Sequence, residues 1–341
     1  MKKRKSFIVL CCSIVFMILV SALPHKQETP LNEDVHTAVK RAVVFLQDLQ
    51  RNDGAICDTI NPLFDTWETI LAATAIFQVN KDTNEKTFKQ ALSFLRKNEN
   101  DKGLICHNQK CRQAYCLETT AVYFDLLLQT GDREKVRAGL KYVAALQKQT
   151  GEWEIGNPDV TIQTNFPSVT GFVLNTCQHA GTEVNNKQSA LQWLLAKQTA
   201  AGDWGFGWEY YGCPAYALWP IMKTLRQNRS AQTEQAEKKA LVYIISTQEK
   251  DGSWFYQDRS VQKQVSAELQ TALMLAALQG SVNRDHPAVL RGINFLVRSQ
   301  QSKRNWNGGY FPIPQQRYTK SEYIFATAIT VAVLNQYLRD Q

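Results

Sequence analysis

The sequence predicts an all-α protein built as a single closed ring of six helix pairs, an (α/α)6 toroid. Three observations carry that prediction. A short phrase recurs six times: an amphipathic stretch, a Gln, a few polar residues with Gly, then an aromatic or Ile. The copies are Phe45–Ile56, Phe94–Ile105, Tyr142–Trp153, Trp193–Trp204, Tyr243–Trp254 and Phe295–Tyr310, spaced roughly 48–52 residues apart, the range of repeat architectures. Charged amphipathic stretches alternate with nearly apolar ones, and no strand pattern is sustained. Two helices and a turn cannot bury their apolar face alone, so the units must stack on one another.

The first 22 residues read as an export signal, with basic Lys2, Lys3, Arg4 and Lys5 ahead of the apolar run Phe7–Val20 and a cleavage point after Ala22. The alternative is an uncleaved anchor, because Phe7–Leu23 is only slightly short of the ~20 residues of a span. Either way the basic flank leaves the rest of the chain on the non-cytoplasmic face. Cys11 lacks a small residue before it, which argues against a lipoprotein. Residues 23–34 read as a polar linker and 35–341 as the toroid. Net charge is +8, half of it from the N-terminal basic cluster. No later Lys/Arg run with interleaved aromatics supports nucleic-acid binding.

The outer helices are expected at Val35–Gln50, Thr87–Asn98, Glu134–Gln149, Gln188–Gln198, Ala231–Gln248 and Pro287–Gln300. Their apolar residues recur at helical spacing, as in Val39, Ala42, Val43 and Leu46. The inner helices are expected at Thr66–Phe77, Leu117–Leu128, Val169–Cys177, Ala215–Leu225, Ala267–Leu278 and Tyr323–Leu334. They are apolar all round, hence buried on both sides. Parallel inner helices open their N-termini at one mouth. Asp65–Glu68, Cys116–Thr120, Ser168–Thr170, Tyr211–Cys213, Ser266–Glu268 and Ser321–Tyr323 therefore face a shared cavity. Asp65 and Ser266 read as N-caps, and Glu68, three residues after Asp65, as its capping-box partner.

Of the cysteines beyond the signal, Cys57 and Cys106 hold equivalent places in adjacent repeats, and Cys106 and Cys111 are spaced to close a small loop. At least one disulfide is expected among Cys57, Cys106, Cys111 and Cys116, since export permits it. The run Cys106-His107…Cys111…Cys116 lacks the Cys-x2-4-Cys spacing of structural zinc, and no metal is expected.

The repeat, best seen in Gln248–Trp254, resembles that of the squalene–hopene and oxidosqualene cyclases, whose toroid is shared with protein prenyltransferase β subunits. The resemblance runs in register over nearly all of residues 36–341. Phe64–Thr69, Gly202–Leu218, Ser266–Ala272 and Tyr318–Ala326 resemble further cyclase segments. The match is to the catalytic C-terminal toroid, without the family's second one, which implies a partner subunit in its place. Those cyclases protonate an alkene or epoxide with the middle Asp of Asp-x-Asp-Asp-Thr-Ala. Here that segment is Cys116–Ala121. Glu118 falls on the proton donor, while Cys116 and Thr119 replace the flanking acids. Burial is expected to raise the pKa of Glu118 and keep it neutral.

The resemblance implies a class II terpene cyclase-like protein that needs no cofactor. It would cyclise or isomerise a polyprenyl or other isoprenoid substrate at a membrane surface. Aromatic faces suit carbocations, and Trp67, Tyr115, Trp208, Tyr211, Trp219, Tyr310 and Tyr323 are the candidates, with Asp65, Glu68 and Glu268 also at the mouth. The zinc site of the prenyltransferases does not carry over: their Asp-x-Cys falls on Tyr211-Gly212-Cys213, and no His opens the later inner helices. The Gly-Cys-Gly-Glu-Gln of toroidal thioester domains is absent. Two alternatives remain: a non-catalytic toroid binding an isoprenoid, lipid or protein, and a carbohydrate-active enzyme pairing Asp65 with Glu118.

Overall fold

The computed structural model describes residues 31–58, 62–83, 85–156, 166–205, 213–256, 264–312 and 319–340, with backbone alone at 310–312 and 319–321. The expected signal or anchor, residues 1–22, and most of the linker lie outside them. No helix among the described residues is long and apolar enough to cross a membrane.

Among the described residues twelve α-helices alternate along the chain. The outer ones are α1 (Leu31–Asp48), α3 (Lys86–Lys97), α5 (Arg133–Ala145), α7 (Lys187–Ala196), α9 (Ala231–Ser246) and α11 (Pro287–Ser299). The inner ones are α2 (Asp65–Asn80), α4 (Leu117–Gln129), α6 (Pro167–Ala180), α8 (Pro214–Gln227), α10 (Ala267–Leu278) and α12 (Tyr323–Arg339). Each inner helix packs on the next, and α12 returns to pack on α2 and α1, so the ring closes. The toroid is as the sequence predicts. The first helix begins at Leu31, inside the segment read as linker. One small antiparallel sheet, β1 (Gln264–Val265), β2 (Gly309–Pro312) and β3 (Thr319–Ser321), was not visible as a strand pattern, because its strands are only two to four residues long.

The repeat phrase is a joint between neighbouring pairs. The Nε2 of Gln248 donates to the Gly252 carbonyl at 2.9 Å and to the Ala288 carbonyl of the next outer helix at 2.9 Å. Gln50, Gln147 and Gln198 do the same. This corrects the expected C-termini of the outer helices. Where the phrase carries Gln, α1, α5, α7, α9 and α11 stop one to two residues short of it, freeing the side chain to close the turn. In the second repeat Glu99 stands in the Gln position. It accepts from the Tyr123 hydroxyl and pairs with Lys135 at 2.6 Å on the next outer helix.

The aromatic of the phrase is buried beneath that joint. The indole N–H of Trp153, Trp204, Trp254 and Trp306 donates to the outer-helix carbonyl ten residues earlier at 2.7–2.8 Å. In five repeats the backbone N–H at this position donates to an inner-helix threonine: Thr69, Thr120, Thr170, Thr271 or Thr327. Buried polar groups are thereby matched where two helices of a pair meet, as burial requires.

Candidate active site

The N-terminus of α4 is fixed by its neighbours. Cys116, its extended N-cap, donates its N–H to the Ile105 carbonyl at 3.0 Å, and Leu117 donates to the Ile155 carbonyl at 2.8 Å. Glu118, Val122, Asp125 and Gln129 then share one stripe of the helix. Glu118 lies deep in the protein but is not fully closed off, unlike Leu117 and Thr119 on either side of it. Burial pushes its carboxyl up to about 7, against the nearby Tyr216 and Ser168 hydroxyls, which act downward. At neutral pH a large share of Glu118 therefore carries its proton. Cys116 is pushed up to about 12, first by burial and then by Glu118, so it remains a neutral thiol and lends the acid no charge.

Beside Tyr216 lies an aromatic layer drawn from four inner helices. Tyr216 and Trp219 of α8 stand 6.3 Å apart between ring centroids. Phe172 of α6 meets Trp219 edge-on at 5.0 Å, and Phe325 of α12 lies 6.2 Å from Tyr216 and 6.3 Å from Trp219. Trp67 of α2 meets Phe325 at 5.9 Å. Such edge-to-face packing is the favoured geometry of aromatic pairs. The expected aromatics Trp67 and Trp219 thus belong to one group. Phe172, Tyr216 and Phe325 join it unanticipated, and Ser168, expected at the mouth, stands near Glu118. For Tyr216 the signal was its place one helical turn before Trp219.

The other expected residues sit elsewhere on the mouth. Asp65 is not an N-cap but the first residue of α2, with Phe64 as N-cap and no side-chain cap bond. Its carboxylate instead accepts from the Gln109 N–H at 3.0 Å and the Gln109 Nε2 at 2.8 Å. Glu68 makes no capping box; its Oε2 accepts from the Asp58 N–H at 3.0 Å. A tertiary partner replaces the local one in both cases. Ser266 does cap α10, accepting from the Leu269 N–H at 3.0 Å. Tyr323 lies at the α1–α12 seam, 6.1 Å from Phe45. Its phenol is pushed above the usual range by burial and by the Asp58 and Glu68 charges. Tyr115 is half-buried against Gly156, where a Cβ would come within 2.2 Å of its ring. Glu268 is half-buried in the first turn of α10. Trp208 and Tyr211 lie outside the described residues. Tyr310 is described only through its backbone, paired with Gln264 and Ser321.

The loop that holds Asp65 is closed by a Cys106–Cys111 disulfide; Cys57, Cys116, Cys177 and Cys213 are buried thiols. His107 Nδ1 lies 3.5 Å and 3.7 Å from the two sulfurs. Asn108 Oδ1 accepts from the Lys110 and Cys111 N–H groups, so its Nδ2 must donate to His107 Nε2, at 2.8 Å. The proton of neutral His107 is then on Nδ1. These three donors cluster within 4.8 Å of one another. With the sulfurs bonded together and Nδ1 protonated, the set does not fit a metal ion.

With this geometry in view, the chain matches the squalene–hopene cyclase C-terminal domain family over residues 155–337, more than half of its length. The chain belongs to that family. It is 29% identical over 220 residues to the squalene–hopene cyclase of Bradyrhizobium diazoefficiens, a match covering 57% of the chain and 32% of the relative. The squalene–hopene cyclase of Zymomonas mobilis is 23% identical over 344 residues, covering 86% of the chain and 51% of the relative. The chain thus spans a third to a half of these relatives. Among solved structures it is similar to the type II terpene cyclase MstE from Scytonema bound to its substrate geranylgeranyl dihydroxybenzoate. That match has a TM-score of 0.70 and 16% identity, and covers 92% of this chain and 99% of the other. The same toroid also occurs in the cellobiose 2-epimerase of Bacillus thermoamylovorans, with a TM-score of 0.60, 12% identity and coverage of 89% and 99%. The chain is class II terpene cyclase-like.

Proposed function

We propose that this chain is a single-toroid class II terpene cyclase in which Glu118 is the general acid. The observation that carries the reading is a deep carboxyl raised to about 7 beside an aromatic layer. A protonated acid meets an alkene, and π-faces stabilise the cation without acting as bases. The Glu118 proton adds to one carbon of a terminal double bond, whose π pair becomes the new C–H bond and leaves a cation on the neighbouring carbon. An internal double bond then closes a ring onto that cation, or an adjacent C–H loses its proton to give an isomerised alkene. Final proton loss restores the proton count, so the product is an isomer of the substrate. The ligand class is an isoprenoid, supported by the MstE complexes with geranylgeranyl dihydroxybenzoate and with the product merosterolic acid A. Trp67, Trp219, Tyr115 and Tyr323 are the proposed substrate wall, and the resemblance adds Trp208, Tyr211 and Tyr310 to it.

A second reading, an isoprenoid-binding toroid without turnover, draws on Cys116 and Thr119. Neither supplies the extra acid of the family motif. One experiment separates the two: co-expression with polyprenyl precursors, then lipid extraction and mass spectrometry. A new cyclic or isomerised product that disappears in Glu118→Gln supports the acid. An isoprenoid that co-purifies unchanged supports binding alone, and product formation intact in Glu118→Gln sinks the mechanism. The same reading has the protein exported, on the strength of residues 1–22, with residues 7–23 as a membrane anchor if uncleaved. A phosphatase reporter fused after Gln341 that is silent outside the cytoplasm would end it.

A further inference from the structure

Beyond the aromatic layer the ring opens again. Glu118 and Asp125 share the inward stripe of α4 but stand two turns apart, ~10 Å along the helix. On the Asp125 side lies a chamber of about 270 Å³ that receives side chains from all six inner helices, with Phe172 and Trp219 in its wall. It lies toward the helix C-termini, at the mouth opposite to the one where the candidate acid sits. Along the wall the chemistry changes in one direction. Leu71 gives way to Gln78 on α2, Val122 to Gln129 on α4, and Trp219 to Arg226 on α8. The deep end is apolar and the rim polar.

The rim also carries an unbalanced charge. Asp125 accepts from His179 Nδ1 at 3.2 Å and lies 3.6 Å from the Lys223 ammonium. Burial pushes its carboxyl up, but Lys223 and His179 outweigh it and hold Asp125 below the usual carboxylate range. Arg226, largely buried, uses Nη1 on the Ala277 carbonyl and the Ser281 hydroxyl at 2.9 and 2.8 Å. Burial lowers it to about 10, so it remains a cation at neutral pH. Among the residues that line the chamber two cations therefore face one carboxylate; Glu237, outside the lining, offsets part of the Arg226 charge.

We propose that this chamber is a second binding site, separated from Glu118 by Phe172 and Trp219, for a small single-tailed amphiphile with an acidic head. The tail lies against the apolar deep end, and a carboxylate or phosphate head meets Lys223 and Arg226 at the rim. At about 270 Å³ the chamber falls just below the ~300–1,000 Å³ of sites for drug-sized ligands, which limits the tail to a short chain. The proposal holds whether or not Glu118 turns over a substrate.

The test is calorimetric titration of the full chain with decanoate, decyl phosphate and decanol. The acidic probes should bind, with decanol roughly tenfold weaker; the tighter of the two acids identifies the head. Ala332 lines the chamber, and Ala332→Phe should fill it and weaken all three probes by at least about tenfold. Lys223→Ala should weaken the acids by roughly fivefold and leave decanol unchanged. Glu118→Gln should change none of them. No heat with any probe at millimolar concentration would overturn the proposal. So would loss of binding in Glu118→Gln, or wild-type affinity in a folded Ala332→Phe. Equal affinity for decanol and decanoate would overturn the acidic head. If Ala332→Phe fails to fold, Lys223→Ala at its partly exposed position carries the test.

Discussion

The side-chain amide of Gln300 donates to the Ala38 carbonyl at 2.9 Å across 262 residues of sequence. Every other Gln of the repeat joins an outer helix to the next one along the chain; this one joins the last to the first. The same Nε2 also donates to the Arg304 carbonyl at 3.1 Å, as the turn geometry requires. Ring closure therefore uses the same bond as ring propagation. Gln300→Ala should cost about 1–3 kcal/mol, since it leaves two part-buried carbonyls without their donor. Thermal unfolding monitored by circular dichroism reads this directly. A melting point equal to wild type would mean that closure rests on helix packing alone.

The turn glycines make a sharper comparison. Gly252 has φ +96°, and a Cβ there would lie 2.3 Å from the Arg291 carbonyl oxygen of the neighbouring outer helix. Gly103 has φ +73° but open space around it. Gly103→Ala should cost only the left-handed backbone penalty, about 1–2 kcal/mol. Gly252→Ala adds a backbone clash that no side-chain rotation relieves, and should lose more than twice as much. Equal losses in parallel denaturant titrations would show that the joint between repeats is looser than this contact implies.

The Cys106–Cys111 bridge closes a short loop whose Gln109 supplies two donors to Asp65. For a loop this small the chain-entropy contribution is about 2 kcal/mol. Cys111 is partly exposed and Cys106 buried, so a thiol reductant reaches the bridge from the Cys111 side. Mass mapping of unreduced protein should recover the 106–111 link, and Cys111→Ser should lower the melting point and loosen the Asp65 contact. Finding both thiols free in oxidised protein would remove the bridge.

The ring was legible because its signal repeats. Each copy of the phrase, Gln-x3-Gly-x-Trp at its fullest in three of the six, performs one job, and six copies leave one closed arrangement. What the phrase concealed was its own mechanics: helical periodicity runs smoothly into Gln50, Gln248 and Gln300, and only the tertiary acceptors show that the helix stops before them. Glu118 was legible by register alone. Ser168 was placed at the mouth but not beside Glu118, and Tyr216 was not read at all, because both come from other helices, α6 and α8, and apolar-all-round inner helices carry no mark of the stripe that faces the lumen. The chamber beside Asp125 was hidden for the same reason. Asp65 was misread because Asp-Thr-Trp-Glu fits a capping box locally, while Gln109, 44 residues away, holds the carboxylate.

Glu118 also makes a prediction about stability. Its folded pKa of about 7 lies above the ordinary glutamate value of 4.5. Between roughly pH 4.5 and 7 the folded state holds a proton that the unfolded state has released, so stability falls as pH rises through that window. Below it both states are protonated and the carboxyl contributes no pH dependence. Above it the folded protein carries a buried carboxylate, at a cost of about 3 kcal/mol. Glu118→Gln keeps the shape and removes the titration. The variant should match wild type near pH 4 and be more stable at pH 8 by about that amount. The same mutation should abolish turnover at every pH, and wild-type turnover should decline as pH rises past about 7, because the reaction needs the protonated form. Cys116→Asp and Thr119→Asp restore the two acids that the family motif carries and should raise turnover where wild type shows any. The decisive measurement is the pair of stability–pH curves. If wild type and Glu118→Gln run parallel from pH 4 to 8, the carboxyl is not held neutral by burial, and the proposed acid loses its physical basis.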